Sequence, residues 1–197
     1  EQYIGSNPCR SIRPIKYERP KRNPLTAIEL EMLRNTCQTI RDAAIIEFLY
    51  STGCRVTEME RADIADVDFA KKELLFGKGN KHRISYINAR AELALKKYLE
   101  IREDDSPALF VSERKPHGRI KKAAIEKRVR QLGEMSGIGR RGYPHLIRHT
   151  TATDGLFRGM PVEEVQKLLG HVNITTTMIY AEVSEENTKN DHKKYIV

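Results

Sequence analysis

The sequence holds no tryptophan, and aromatic residues make up only 7% of its 197 positions. That scarcity argues against an RNA-binding module, which would need exposed aromatic rings for base stacking. Cysteine is also scarce. Cys9, Cys37 and Cys54 are odd in number, widely spaced and never in a CxxC pair, so neither a disulfide framework nor a zinc ribbon is indicated. A reducing cytoplasm suits such a chain. No apolar run is long enough to cross a bilayer. The opening Glu1-Gln2-Tyr3-Ile4-Gly5-Ser6 lacks the basic-then-apolar layout of a secretory leader and does not begin with Met, as expected of a processed or cut chain.

Acidic residues are the minority sign. With 35 Lys and Arg against 27 Asp and Glu, the net charge is +8, and the sequence pI is about 9.4. Such a balance favours a polyanionic partner, although charge alone does not say which one.

Residues 1–24 read as an extended basic strap. Arg10, Arg13, Lys16, Arg19, Lys21 and Arg22 are interleaved with Pro8, Pro14, Pro20 and Pro24, and proline blocks helix and removes ladder donors. The strap is either a solvated tether or a segment lying along phosphates. Ordered structure is expected from Leu25-Thr26, where Thr26 and Glu29 form a capping-box pattern and Leu30, Leu33 and Cys37 repeat at helical spacing. A second apolar helix is predicted from about Asp42 to Ser51, stopped by Gly53, and a short one from Val56 to Arg61. Three strand-like runs follow: Ile64-Val67-Phe69, Glu73–Phe76 and His82–Ile87. Gly77 and Gly79 mark a hairpin turn between the last two. Helices are then expected at about 89–102, 121–135, 145–157, 161–169 and 175–182, with another near 185–193. Gly159 and Pro161 supply stop and start signals between two of them. The fold class is therefore α+β, mainly helical, with a small antiparallel three-stranded sheet.

Four separated segments carry polar residues in apolar surroundings. In Ser51–Glu58, Arg55 follows a helix break at the mouth of the next helix and can aim its fork at a phosphate, or else pair locally with Glu58 or Glu47. In Gly77–Arg83, a cationic hairpin tip can reach a groove or deliver a proton, or simply be a solvated turn. In Pro144–His149, His145 and Arg148 share one helix face while Leu146 turns away. His145 and His149 have a spacing that can hold a metal, but the Glu of the HExxH pattern is replaced by Leu146, and no metal site is assigned. In Leu168–Tyr180, Gly170 permits a tight helix end with His171 directly after it; His171 and Tyr180 also have ordinary structural readings, at a helix end and in the core.

Taken in order, Thr52-Gly53-Cys54-Arg55, Gly77-Lys78-Gly79-Asn80-Lys81, His145-Leu146-Ile147-Arg148-His149 and Leu169-Gly170-His171, with Tyr180 nine residues past that histidine, resemble the tyrosine recombinase (phage integrase) family. The style is that of mobile-element integrases and Xer-type recombinases, and the likeness covers about 25–183. It implies that Arg55 and Arg148 clamp a phosphate and that Lys78 on the hairpin is the general acid, with Lys81 as second choice. It further implies that His145 is the candidate base, that His171 binds the phosphate or buttresses the nucleophile, and that Tyr180 is the nucleophile forming a 3′-phosphotyrosyl link. His149 is read as support or helix packing. Cys54 and Thr57 stand where many relatives have Leu and Ser.

The resemblance also implies double-stranded DNA as partner, a homo-tetramer in the active synapse, a monomer in free solution and no membrane association. No metal, cofactor or ATP is needed, and no Asp/Glu cluster in the motifs suggests a two-metal nuclease. The expected organisation is a linker at 1–24, a catalytic domain at 25–183 and a tail at 184–197 that either docks on a neighbouring protomer or frays. An N-terminal core-binding domain is expected to be absent from the given stretch. Integration or excision of a mobile element is the expected role, with Xer-like chromosome dimer resolution or a type IB topoisomerase-like activity as alternatives.

Overall fold

A computed structural model describes residues 23–77, 82–171, 173, 177 and 178. The basic strap, except for its last two residues, the hairpin tip holding Lys78 and Lys81, the Tyr180 position and the 184–197 tail lie outside the described residues.

Helix α1 (Ala27–Asn35) begins at the capping box expected of Thr26 and Glu29. The Thr26 amide donates to Glu29 Oε2 at 2.7 Å and the Glu29 amide donates to Thr26 Oγ1 at 3.2 Å. Helix α2 (Ile40–Thr52) starts two residues before the expected Asp42, because Asp42 is itself the third helical residue of a second capping box with Thr39. Gly53 ends α2 in the left-handed region at φ 56°, and Arg55 caps α3 (Val56–Arg61) directly after it.

Only part of the first expected strand forms. Ile64–Asp66 is a 3₁₀ turn in which the Asp63 amide donates to Asp66 Oδ2 at 2.8 Å, leaving β1 as Val67–Asp68. Strands β2 (Glu73–Phe76) and β3 (Arg83–Tyr86) complete an antiparallel sheet in the order β1-β2-β3, with Val67 opposite Leu74 and Phe76 opposite Arg83. The remaining helices are α4 (Ala89–Glu100), α5 (Lys122–Met135), α6 (Pro144–Phe157) and α7 (Val162–Leu169). Pro144 opens α6, where its missing N–H has no cost.

Helix α2 is the centre of the domain. Ala44, Ile45, Ile46, Phe48 and Leu49 are all fully buried, since α2 packs against α4, α5, α6 and β3. Phe48 meets Phe76 and Phe110 edge-on, with ring centroids 6.2 and 5.3 Å apart, which joins helix, sheet and the 108–111 segment in one core. A smaller apolar cluster of Ala152, Val165 and Leu169 fastens α7 to α6. Two carboxylates sit inside this framework, and each is paired. Asp42, fully buried, receives Arg128 at 2.7 and 2.6 Å, and Glu47 receives Arg34 at 2.7 and 3.1 Å. Unpaired, such buried charges would be strongly destabilising. Among the described residues, no helix is long and apolar enough to cross a membrane.

Candidate active site

The ends of α2, α6 and α7 converge on one cleft. Its volume is about 940 Å³, and Arg55, His145, Arg148 and His171 all line it. Three separated segments thus bring four of the six expected site residues together; Lys78 and Tyr180 lie outside the described residues.

Arg148 is the buried member, with only 3% exposure. The alternation within α6 explains this: Leu146 and Ile147 face the core, while His145 is exposed at the cleft mouth. One guanidinium nitrogen of Arg148 donates to the Gly53 carbonyl at 2.6 Å. The other donates to the Leu169 carbonyl at 2.9 Å and to His171 Nε2 at 2.8 Å. The two carbonyls belong to helix ends, where backbone acceptors have no intrahelical partner. Arg148 therefore ties the α2 and α7 termini to one another, and the αL conformation of Gly170, at φ 66°, turns the chain so that His171 comes back onto the guanidinium.

Arg55 is the accessible member, its side chain 47% exposed. Its Nη2 donates to the Gly170 carbonyl at 3.2 Å and its Nη1 meets Glu58 at 3.4 Å. The local pairing considered from sequence thus exists in part. It does not consume Arg55, because Glu58 is held mainly by Arg83, at 2.8 and 3.2 Å, and by the Arg55 backbone amide at 2.7 Å. Glu47, the other candidate partner, is occupied by Arg34. Burial alone would raise the Glu58 carboxyl; hydrogen bonding and charge from Arg83 and Arg55 outweigh it and hold the group below its ordinary value.

Sequence reasoning considered Glu58 only as a local partner of Arg55, and it counted Arg83 only among the cations of a hairpin tip. Arg83 instead sits in β3, with its guanidinium carbon 4.6 Å from the Phe76 ring centre. It donates to Glu58 and to the Leu168 carbonyl, so the sheet, α3 and the α7 terminus share one anchor. A signal for Glu58 existed in its position three residues after the cap residue Arg55, the place where a carboxylate reaches back to the cap amide.

Charge accumulates in the cleft. Besides Arg55 and Arg148, Lys122, Arg130, Arg140 and Arg141 line it, against one carboxylate among the described residues, Glu126, which lies 3.7 Å from Lys122. The histidine between these cations responds to them. Burial first, then the charges of Arg148, Arg55, His145 and Arg83, push His171 down to about 4, so it is neutral at pH 7. A concave site with many converging guanidiniums suits an anion with several oxygens. Cys54 also lines the cleft, yet burial pushes its thiol up to about 12, which removes it as a nucleophile at neutral pH. A second hollow of about 990 Å³, bordered by Gly77 and His82 at the hairpin base, shares Arg55 and His171 with the cleft. Among the described residues, no group of three or more His, Cys, Asp or Glu side chains converges as metal ligands.

The phage integrase family model matches residues 23–187. The chain is 36% identical over 186 residues to tyrosine recombinase XerC of Haemophilus ducreyi, covering 90% of this chain and 60% of that protein. It is 34% identical over 175 residues to tyrosine recombinase XerA of Pyrococcus horikoshii, covering 86% of this chain and 61% of the relative. The chain thus spans about three-fifths of the length of these curated relatives. Its fold superposes on the crystal structure of XerA recombinase with a TM-score of 0.80 at 30% identity, covering 94% of this chain and 68% of that one. It also superposes on a Tn1549 transposon integrase in complex with transposon right-end DNA, with a TM-score of 0.75 at 18% identity, covering 91% and 68%; at that identity the likeness speaks for the fold alone.

Proposed function

The chain belongs to the phage integrase family of tyrosine recombinases, and on that premise we propose that it is the catalytic domain of a site-specific DNA recombinase that cuts and rejoins strands through a 3′-phosphotyrosyl intermediate. The observation that carries this reading is the convergence of Arg55, His145, Arg148 and His171 on one cationic cleft.

The chemistry follows from the groups. A phosphodiester repels nucleophiles, and its transition state gathers charge on the non-bridging oxygens. Arg55 and Arg148 are the clamp for those oxygens, Arg148 held rigidly by its carbonyl and imidazole contacts and Arg55 still half exposed. The Tyr180 oxygen attacks phosphorus and its proton passes to His145. The O5′–P bond breaks, and Lys78 protonates the leaving 5′-oxygen. Attack of a free 5′-hydroxyl on the phosphotyrosine reverses these steps and reseals a strand. The covalent link conserves the phosphodiester energy, so no ATP is consumed. Two neighbours support the roles of the residues that are not described. Gly77 and His82 border a hollow that includes Arg55 and His171, and Thr177, three residues before Tyr180, is bonded to His171.

The same reading assigns double-stranded DNA as partner, a tetramer on DNA and a monomer off it, and the cytoplasm as the compartment. Residues 1–24 are the linker to a DNA-clamping domain, 25–183 are the catalytic domain, and 184–197 are a tail that docks on a neighbouring protomer. Identity to XerC and XerA proteins favours a Xer-like role over mobile-element integration.

A nicked suicide DNA carrying a cognate site tests the proposal. The expected product is a denaturant-resistant protein–DNA adduct that mass spectrometry maps to Tyr180, absent in Tyr180→Phe while fold and DNA binding persist. Persistent trapping by Tyr180→Phe would move the nucleophile elsewhere, with Tyr195 first in line. No adduct from the full-length protein on its native site would favour a silent DNA-binding role.

A further inference from the structure

His171 stands between two hydrogen-bond partners of different kinds. On one side the Arg148 guanidinium lies 2.8 Å from Nε2. A guanidinium has donors only, so Nε2 must present its lone pair. A neutral imidazole carries one proton, which therefore sits on Nδ1. On the other side Nδ1 lies 2.8 Å from Thr177 Oγ1, so the imidazole donates there and the hydroxyl accepts. Thr177 is fully buried. It is helical and stands three residues before Tyr180 in the chain.

We propose that Thr177 is a positioning residue: its hydroxyl holds His171 in the Nδ1–H tautomer, and the chain Thr177–His171–Arg148 ties the segment that leads to Tyr180 to the phosphate-clamping guanidinium. The catalytic consequence rests on the recombinase reading; the tautomer does not.

Three physical consequences follow from the chain of bonds. With its lone pair on Arg148, the neutral His171 orients the clamp in the protein free of DNA. Removal of the hydroxyl frees the ring to take its other tautomer, in which Nε2–H opposes the Arg148 donor. And because three residues of extended chain span at most about 10–11 Å, a fixed Thr177 bounds how far Tyr180 can stray from the cleft. The charged and titratable groups that face the ring from neighbouring elements are Arg148 and His145 on α6, Arg55 at the head of α3 and Arg83 on β3. All of them disfavour the imidazolium, so the neutral ring is the form on which Thr177 acts.

The test is ¹⁵N NMR of the histidine rings in the full chain at pH 7.5, with His171 assigned through a His171→Asn variant, run beside cleavage of nicked DNA. The expected spectrum has a protonated Nδ1 and an unprotonated Nε2 in the parent protein and in Thr177→Ser. Thr177→Val should show the tautomer lost or mixed, with Thr177→Ala as substitute if Val disturbs the fold. Adduct formation should slow about tenfold in Thr177→Val, the scale of one lost hydrogen bond, and recover in Thr177→Ser at unchanged DNA affinity. A protonated Nε2 in the parent protein, or an unchanged tautomer in Thr177→Val, would overturn the inference. The spectrum is read without DNA. Failure of every form to yield an adduct would thus count against the recombinase reading, while the tautomer would still decide whether Thr177 holds His171.

Discussion

The backbones of Gly133 and Gly142 lie in contact: a Cβ on Gly133 would stand 2.5 Å from the Gly142 nitrogen and 2.6 Å from its Cα, and a Cβ on Gly142 would stand 2.8 Å from the Val129 carbonyl oxygen. This crossing sets the basic 139–143 loop against α5, so Arg140 and Arg141 face the same cleft as Lys122 and Arg130. The loop is also tied to the start of the domain. Arg140 donates to the Asn23 and Pro24 carbonyls at 2.7 and 2.6 Å and to Glu29 at 2.6 Å.

Gly133→Ala should push this loop away, because its clash is with backbone and not with a flexible side chain. Overpacking of this kind costs about 1–3 kcal/mol, offset in part by the roughly 1 kcal/mol that Ala gains over Gly inside a helix. Urea unfolding should show a net loss of stability, and, on the recombinase reading, the DNA affinity should fall with the displaced arginines. A variant as stable as the parent would mean that the loop has room to retreat.

Arg148→Lys should keep the positive charge and lose the fork. A lysine ammonium cannot span the Gly53 carbonyl, the Leu169 carbonyl and His171 at once. On the recombinase reading, cleavage of a nicked substrate should drop by about a hundredfold or more. Cleavage within a few-fold of the parent rate would remove Arg148 from the clamp.

Glu58→Gln should remove an acid-sensitive contribution to stability. The Glu58 carboxyl lies below its ordinary value of 4.5 in the folded protein. A carboxylate with a depressed folded value stabilises fully above the unfolded value and loses that effect as pH falls through the folded one. The stability difference between parent and variant should be constant above about pH 5 and shrink below about pH 4.5, where unfolded carboxylates take up protons. A difference that grew towards acid pH would contradict the pairing of Glu58 with Arg83 and Arg55.

His171 should titrate near 4 in the free protein and move upward when an anion fills the cleft. Its depression stems from burial and from the surrounding cations, and a bound phosphate offsets the second cause. The unfolded chain takes up a proton on this histidine near pH 6.5 while the folded one stays neutral to about 4. Its contribution to stability is therefore complete above 6.5 and declines as pH falls towards 4. Proton NMR of the ring, with and without inorganic phosphate, reads both effects. A value that stays fixed as phosphate saturates would place the anion elsewhere.

Much of this was written locally. The Thr26–Glu29 capping box, the stop at Gly53, the Gly170 turn and the alternation that turns Leu146 inward and His145 outward depend on neighbours within one helical turn, and each reads from the chain. So did the order of motifs that announced the family. Local patterns misled where two of them overlapped. Thr39 and Asp42 start α2 earlier than its apolar run suggests, and Asp63 with Asp66 winds part of an apparent strand into a 3₁₀ turn.

The sequence by itself determined most of the described elements, the family and four of the residues that meet in the cleft, because periodicity, caps and motif spacing are properties of short stretches. Only the tertiary structure decided which arginine is buried and which is exposed, that Glu58 belongs to Arg83 more than to Arg55, that Gly133 and Gly142 touch, and that His171 sits between Arg148 and Thr177. The physical reason is the same throughout. A guanidinium chooses among carbonyls, carboxylates and an imidazole contributed by distant segments, and that choice exists only once packing has brought their ends to one place.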